Sequence, residues 1–248
     1  MPDFLIFRLY GPLASWGDIA VGEQRPTTPH PSKSAVLGLI AAALGIRRHE
    51  DDQQQALVEG YGYAVRVDAP GVLLRDYHTT QLPDTTSRLK HLRSRRDEIR
   101  DRQNLYTVLS SRDYRADGLY TACLWPREAA PESLEALANA LRCPRFPLYL
   151  GRKSCPLALP LVPVCLAADT FEEALADFDT NRSEAECAFW DSTGLTKWLA
   201  SPAYDLYWDE GAPTELAPLH STPRQDLPLS RRRWQFGKRN EHYRRVAS

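Results

Sequence analysis

A glycine followed by two cations and a hydroxyl stands directly after the apolar dipeptide Tyr149-Leu150: Gly151, Arg152, Lys153 and Ser154. Glycine lets a backbone approach a phosphate closely, and adjacent cations with a hydroxyl can hold that phosphate. The glycine spacing that a Walker loop requires before its lysine is absent. The segment therefore predicts a phosphate contact, with a solvated surface turn as the alternative.

A second candidate phosphate site precedes an apolar helix. The segment RPTTPHPSKS runs from Arg25 to Ser34, and the apolar helix that follows is predicted to reach about Leu44. Ser32 or Ser34 can cap its first turn, and Gly45 provides a C-terminal stop. Free N–H groups and the helix dipole favour anions at such an end, where Lys33 also stands. A helix cap without a ligand is the alternative.

The histidines and tyrosines allow one catalytic hypothesis. A metal-independent ribonuclease could use His78, or a histidine or tyrosine in or near the insertion such as Tyr114, as a base, with a cation stabilising the phosphorane. The spacing does not require this chemistry, and a histidine at a strand end is more often structural. HExxH, GxSxG and paired-carboxylate motifs are absent, so the sequence predicts no metal and no cofactor.

The charge distribution favours a polyanionic partner. Of the 31 basic residues 26 are arginine, yet the net charge is only −1. Seven basic residues lie between Arg88 and Arg102, and seven more lie between Arg231 and Arg245. Because the acids are concentrated elsewhere, the fold can present a basic groove to nucleic acid. The run from Arg88 to Arg102 could also be a solvated helix face.

Length and composition exclude several classes of protein. A chain of 248 residues can bury one large core or two small ones, and 43% hydrophobic residues are typical of a globular protein. Five cysteines without a CxxC pair argue against a disulfide framework or zinc knuckle. The sequence has neither a signal-peptide pattern nor an apolar run of membrane-spanning length. A cytoplasmic location is expected, with no membrane contact.

The elements that must position these residues follow the order β-α-β-β-α-β. Strands are predicted at Phe4–Tyr10, at Tyr63–Asp68 and Val72–His78 as a hairpin, at Leu119–Trp125 and from Leu148 onward, and helices at the Ser34 segment, Glu50–Glu59 and Pro131–Arg142. This order is typical of an α+β fold, the ferredoxin-like or RNA-recognition-motif-like (RRM-like) unit. A polar insertion from Thr79 to Tyr114 interrupts it, and a smaller β-rich region is expected after Gly151.

Four ordered sequence blocks resemble one protein family. They are FLIFRLYGPLASWG, RPTTPHPSKSAVLGLIAAALGI, SSRDYRADGLYTACLW and PLYLGRKSCPLALPL, and together they span residues 4 to 165. They are similar to the CasD family in the RAMP superfamily, whose members hold the 5′ handle of the CRISPR RNA in the type I-E CRISPR surveillance complex Cascade. Little between Asp169 and Pro223 contributes to the resemblance.

The resemblance implies a ferredoxin-like domain over residues 1–150, with an inserted β-hairpin thumb at about 82–109, and a smaller β-rich region over 151–248. It implies a non-catalytic RNA-binding subunit that caps the complex for antiviral defence. The expected partners are the CRISPR RNA, the adjacent backbone subunit and the large subunit, with target DNA reached only indirectly through the complex.

The resemblance also suggests which residues contact RNA. The predicted RNA-binding residues are Arg25, Lys33, Ser34, His78, Arg112, Tyr114, Arg152 and Lys153, and the predicted thumb residues are Arg88, Lys90, Arg93, Arg95 and Arg96. Phosphate clamping is the expected role, with Tyr114 stacking on an unpaired base. Two alternatives stay open: an endoribonuclease that processes precursor CRISPR RNA, and an assembly module that does not contact RNA.

Overall fold

The computed structural model describes residues 3–83, 94–99, 105–182, 184–194 and 203–247. Its strands are β1 Asp3–Tyr10, β2 Leu13–Ala14, β3 Gln24–Arg25, β4 Tyr61–Ala69, β5 Val72–Pro83, β6 Leu105–Ala116, β7 Leu119–Pro126, β8 Val164–Ala167, β9 Ala203–Asp209, β10 His220–Ser230 and β11 Gln235–Ala247. Its helices are α1 Lys33–Leu44, α2 Asp51–Gly60, α3 Arg95–Glu98, α4 Leu134–Arg142, α5 Phe171–Thr180 and α6 Glu184–Thr193. The fold is mixed α/β and rich in strands.

Seven strands form one antiparallel sheet in the order β10-β11-β9-β4-β7-β1-β8. Both faces of this sheet are covered, as the alternation along β1 demonstrates. Leu5, Phe7 and Leu9 pack in the cluster that contains α1 and α4, whereas Phe4 and Ile6 pack in the cluster that contains α5. A strand covered on both faces needs apolar residues at every position, which explains the run FLIF.

The caps of α1 agree with the sequence prediction. The Ser32 Oγ accepts a hydrogen bond from the Ala35 N–H, and Gly45 ends the helix in the left-handed conformation at φ +82°. The amphipathic helix α4 begins at Leu134, later than predicted. Ser133 is its N-cap, because its hydroxyl accepts a hydrogen bond from the Ala136 N–H.

The predicted hairpin between Tyr63–Asp68 and Val72–His78 is wrong. β4 pairs with β7 and β9 in the large sheet, whereas β5 pairs with β6 in a second sheet. The registers match across the corner, since Ala69 lies opposite Leu119 and Val72 lies opposite Ala116. β4–β5 and β6–β7 are therefore one long bent strand pair. We call the outer part, β5 with β6, the hairpin arm.

The last part of the chain completes the large sheet. The extended segment predicted at Leu148 makes only an isolated bridge between Tyr149 and Pro156, and the strand that pairs with β1 is β8. Strands β9 to β11 continue the sheet from β4. Residues after 150, expected as a separate β-rich region, thus pair with both outer strands of the β4-β7-β1 core. Free strand edges require such partners or covers.

Candidate nucleic-acid interface

An open groove of about 1230 Å³ lies between the N-terminal half of α1 and the β10–β11 hairpin, with the loop 15–26 and the turn 147–152 as its other walls. Six cationic side chains line it, which are Arg25, Arg48, Arg152, Arg224, Arg231 and Lys238. Its lining carboxylates are Asp18 and Asp226, and Asp226 is engaged by Arg239 at 2.7 and 2.9 Å. The groove surface is therefore predominantly positive.

The turn that contains Gly151 packs against the loop 15–26, which forms another wall of the groove. Gly151 has φ +84°, and a Cβ there would lie 1.8 Å from the carbonyl oxygen of Ser15. The Ser15 N–H donates to the Leu150 carbonyl at 3.0 Å. Only glycine fits this contact, which holds the turn against the loop that precedes β3. Lys153 follows as an exposed side chain.

Three predicted cations converge at this wall. The Arg152 guanidinium donates to the carbonyl of Arg25 at 3.1 Å. Arg25 lies on β3 beside Arg112 of β6 in the parallel register. The fold thus brings together Arg25, Arg112 and Arg152 from distant parts of the chain.

Tyr114 is not available for base stacking, which corrects the sequence prediction. Its side chain belongs to the main core and is only 8% exposed. The Arg152 guanidinium covers the ring, with its carbon 4.8 Å from the ring centroid. The tyrosine is therefore a platform for Arg152, and the cation–π contact orients that arginine toward the groove.

Lys33 is likewise buried, which corrects its assignment as a phosphate ligand. Its Nζ lies 2.6 Å from the Asp209 Oδ2, and the residue is 1% exposed. Burial lowers the pKa of Lys33, although the Asp209 carboxylate opposes the shift. Ser34 is half-buried at the groove, where its hydroxyl lies 3.0 Å from that of Ser32 and its carbonyl accepts a hydrogen bond from Arg231.

Lys33 belongs to a buried ionic network that holds the β10–β11 hairpin, one wall of the groove, against the start of α1. Arg239 of β11 contacts Asp209 of β9, Asp226 of β10 and Glu241 of β11 at 3.0, 2.7 and 2.5 Å. The Nε2 of His30, in the loop before α1, lies 3.2 Å from the Glu241 carboxylate. These pairs connect the start of α1 with three C-terminal strands.

The electrostatics of Glu241 reflect this arrangement. Burial alone would raise the pKa of its carboxyl, but the hydrogen bond from His30 and the positive charges of Arg239 and Arg224 lower it to about 2. The carboxylate is thus held ionised inside the protein. Its role is to hold the β10–β11 hairpin in place, since the network is almost completely buried.

The remaining predicted residues lie on the hairpin arm or outside the described residues. His78 is partly exposed on β5, with its Nδ1 3.9 Å from the Asp76 carboxylate. Arg95 and Arg96 are exposed on α3, where Arg95 pairs with Glu98 at 2.7 Å. The other predicted thumb residues lie outside the described residues, and they are Arg88, Lys90 and Arg93.

The sequence analysis did not predict the groove-lining residues of the β10–β11 hairpin or Arg48. The groove lining also includes one residue of the loop between α1 and α2 and four of the β10–β11 hairpin, which are Arg48, Arg224, Arg231, Trp234 and Lys238. The basic run that begins at Arg231 was visible in the sequence. Nothing local indicated which of its arginines face the groove, because that depends on how the hairpin packs on α1.

The hairpin arm carries exposed apolar side chains on both of its strands. They are Val72, Leu73, Leu74, Tyr77 and Leu82 of β5, with Tyr106 and Leu109 of β6. Exposed apolar side chains that cluster on one element often mark contacts with partner molecules. Among the described helices, none combines the length and the apolar character that crossing a bilayer would need.

Comparison with known proteins identifies the family. Residues 4–242 match the family model described as "CRISPR-associated protein (Cas_Cas5)". The chain is 35% identical over 188 residues to "CRISPR system Cascade subunit CasD" of Escherichia coli (strain K12), covering 72% of this chain and 78% of that protein.

Solved structures agree with this match. A chain of a "CRISPR RNA-guided surveillance complex" superposes with a TM-score of 0.64 and 26% identity, covering 99% of this chain and 90% of that one. A second, titled "Crystal structure of Cas protein", gives a TM-score of 0.56 with 27% identity, covering 98% and 94%. The sequence match over nearly the whole chain and the shared architecture together place this chain in the Cas5 family of CRISPR-associated proteins.

Proposed function

We propose that this chain is a non-catalytic, RNA-binding subunit of a type I-E CRISPR surveillance complex and that it binds the 5′ handle of the CRISPR RNA. The observation that carries the proposal is the groove between α1 and the β10–β11 hairpin. Among the described residues that line it, six are cations and two are carboxylates, one of which is already engaged. A polyanion that releases counterions on binding is the ligand that such a surface favours.

The dimensions and chemistry of the groove favour a single strand. Arginines dominate its cations, and its walls also carry the partly or well exposed aromatic residues Tyr149, Trp234 and Phe236. Cations that follow a backbone, with aromatic side chains between them, are typical of sites for single-stranded nucleic acid. A pure assembly module has no need for this combination.

We further propose that the core is the ferredoxin-like unit and that the hairpin arm is its thumb. The order β1-α1-β4-β7-α4-β8, with α1 and α4 packed in one cluster, supports the first part. The exposed apolar side chains of the arm support a role in contacting the neighbouring backbone subunit or the large subunit. RNA would then lie in the groove while protein partners contact the arm.

The geometry gives little support to the endoribonuclease alternative. His78 and Tyr114 are on opposite strands of the arm, and Tyr114 lies opposite Leu74, four residues from His78. That spacing puts them about 13 Å apart along the ladder. A base and its partner must both lie within hydrogen-bond reach of the reacting groups, so this pair cannot serve one scissile phosphate without rearrangement.

The binding test uses the purified chain and a fluorescein-labelled RNA that carries the repeat-derived handle. Replacing Arg152 and Lys153 together by alanine should weaken binding and reduce the slope of log K against log salt by about 1.5 for the two lost contacts. The matched control replaces Arg244 and Arg245, an adjacent pair of cations on β11; neither lines the groove or adjoins a residue that does, whereas Lys153 directly follows the groove-lining Arg152. An unchanged slope in the folded Arg152/Lys153 variant would contradict the proposal.

The same RNA tests catalysis. Incubation of the protein with its repeat RNA, with and without divalent metal, should leave the RNA intact. A single-site product that disappears in His78→Ala would establish the endoribonuclease alternative instead. Binding that is absent at all salt concentrations, together with normal assembly into the complex, would establish the assembly module.

A further inference from the structure

The strongest feature outside the predicted site is the partly buried guanidinium of Arg231, which lines the groove. We propose that Arg231, Arg48 and Trp234 form a binding site for one unpaired nucleotide, with its phosphate on the two arginines and its base stacked on the indole. The inference rests on the proposed RNA-binding function and assigns a defined position in the groove to one nucleotide.

Arg231 is a partly buried cation that has no anionic partner among the described residues. Its guanidinium lies against Gly38 of α1, where a Cβ would come within 3.0 Å of the terminal nitrogen. It donates to the Ser34 carbonyl, and its Nε is buried without a hydrogen-bond partner. In the described part of the chain no carboxylate lies within 4.0 Å of it, although buried charges are normally paired.

The neighbouring charge makes the need for an anion greater. Burial lowers the pKa of Arg231, and the positive charge of Arg48 lowers it further. Arg48 is exposed at the same end of the groove and is not ion-paired within the described residues. Two adjacent cations with free donors form the fork geometry that suits a phosphate group.

The turn that carries these residues is held rigidly. The Ser230 hydroxyl donates to the Asp51 carboxylate at 3.0 Å, and the Arg233 N–H donates to the Ser230 hydroxyl at 3.1 Å. The Asp51 carboxylate also accepts from the Arg232 N–H at 3.4 Å. The first turn of α2 thus fixes the β10–β11 turn, and with it the position of Arg231.

Trp234 stands in this turn as an exposed aromatic. The residue is 58% exposed and has φ +58°, a left-handed conformation that bulky residues rarely adopt. Its ring lies 4.8 Å from the Arg48 guanidinium carbon and meets Phe236 edge-on at 5.4 Å. Arg48 thus covers one face of the indole, and because the residue is 58% exposed the other face offers a surface on which a base can stack.

The test measures binding of a ten-nucleotide oligouridine and of the handle RNA to the full chain at several salt concentrations. Trp234→Ala should weaken binding by about tenfold without changing the salt slope, since it removes stacking and no charge. Arg48→Ala should weaken binding and lower the slope by about 0.7, the value for one phosphate contact on a single strand. Arg233→Ala is the matched control, because Arg233 is exposed in the same turn and does not line the groove.

Spectroscopy adds a second readout. RNA should quench part of the tryptophan fluorescence of the wild-type chain, and Trp234→Phe should lose that part of the quenching while retaining most of the affinity. Wild-type binding that is unaffected by Trp234→Ala and Arg48→Ala would overturn this site and leave the proposed function standing. Absence of wild-type binding would overturn both this site and the proposed function. If Arg233→Ala weakened binding as much as Arg48→Ala, the effect would come from overall positive charge, and the nucleotide site would be overturned.

Discussion

Lys33 is the residue for which sequence and structure differ most, so its replacement is the most informative. In Lys33→Ala the Asp209 carboxylate loses a buried ammonium at 2.6 Å. Removing one partner of a buried ion pair typically costs about 3–5 kcal/mol. Because Arg239 at 3.0 Å and Arg127 at 3.3 Å remain with Asp209, we expect the lower end of that range, about 3 kcal/mol.

The assay is urea unfolding followed by tryptophan fluorescence, in parallel with RNA binding at several salt concentrations. The free energy of unfolding should fall for Lys33→Ala, while the salt slope of RNA binding stays at its wild-type value. Lys153→Ala is the control, because an exposed cation changes stability by less than about 0.5 kcal/mol. For Lys153→Ala we expect unchanged stability and a smaller salt slope.

One combination of results would refute this reasoning. If Lys33→Ala unfolded at the wild-type urea concentration and also bound RNA with a smaller salt slope, its ammonium would reach phosphate as the sequence predicted. Lys33→Met, which keeps the aliphatic stem, separates loss of charge from loss of packing. We expect Lys33→Met to be destabilised almost as much as Lys33→Ala, because the missing charge is the larger cost.

Three further predictions follow from the same structure. The pKa of Glu241 is about 2 in the folded chain against an ordinary value of 4.5, so the free energy of unfolding should fall by on the order of 3 kcal/mol as pH drops from about 4.5 to about 2. In Glu241→Gln the free energy of unfolding should lose most of this pH dependence. Equal acid-unfolding curves for both proteins would contradict the prediction. Gly151→Ala should lower the free energy of unfolding by about 3 kcal/mol or more, because the new Cβ would meet the Ser15 carbonyl. Gly211→Ala, at φ +73° in open space, should lower it by only about 1–2 kcal/mol. Thermal unfolding of both variants measures the difference, and equal losses would show that the contact with Ser15 is unimportant. Replacing residues 84–104 by a short Gly/Ser turn should leave the melting temperature near the wild-type value, because the described core clusters contain no residue between 72 and 113. Co-purification of this variant with the complex should decrease. A variant that fails to fold would show that the insertion belongs to the core.

Local chemistry in the sequence was sufficient to predict several elements. The run FLIF specified a strand covered on both sides, and Ser32 with Gly45 specified both ends of α1. These features depend on neighbours along the chain, so their residue types suffice. The family resemblance came from the same local blocks and is confirmed by the family match.

Tertiary packing alone decided which charged residues reach solvent. Lys33 and Arg152 both follow turn-forming residues, and the local sequence does not distinguish their environments. Lys33 is nevertheless buried, because its ammonium pairs with Asp209, which lies 176 positions later in the chain. Arg231 and Arg233 are two positions apart, yet only Arg231 packs against Gly38 and faces the groove. The reason is physical: burial and charge pairing are set by residues far apart in the chain, and a sequence pattern does not contain their distances.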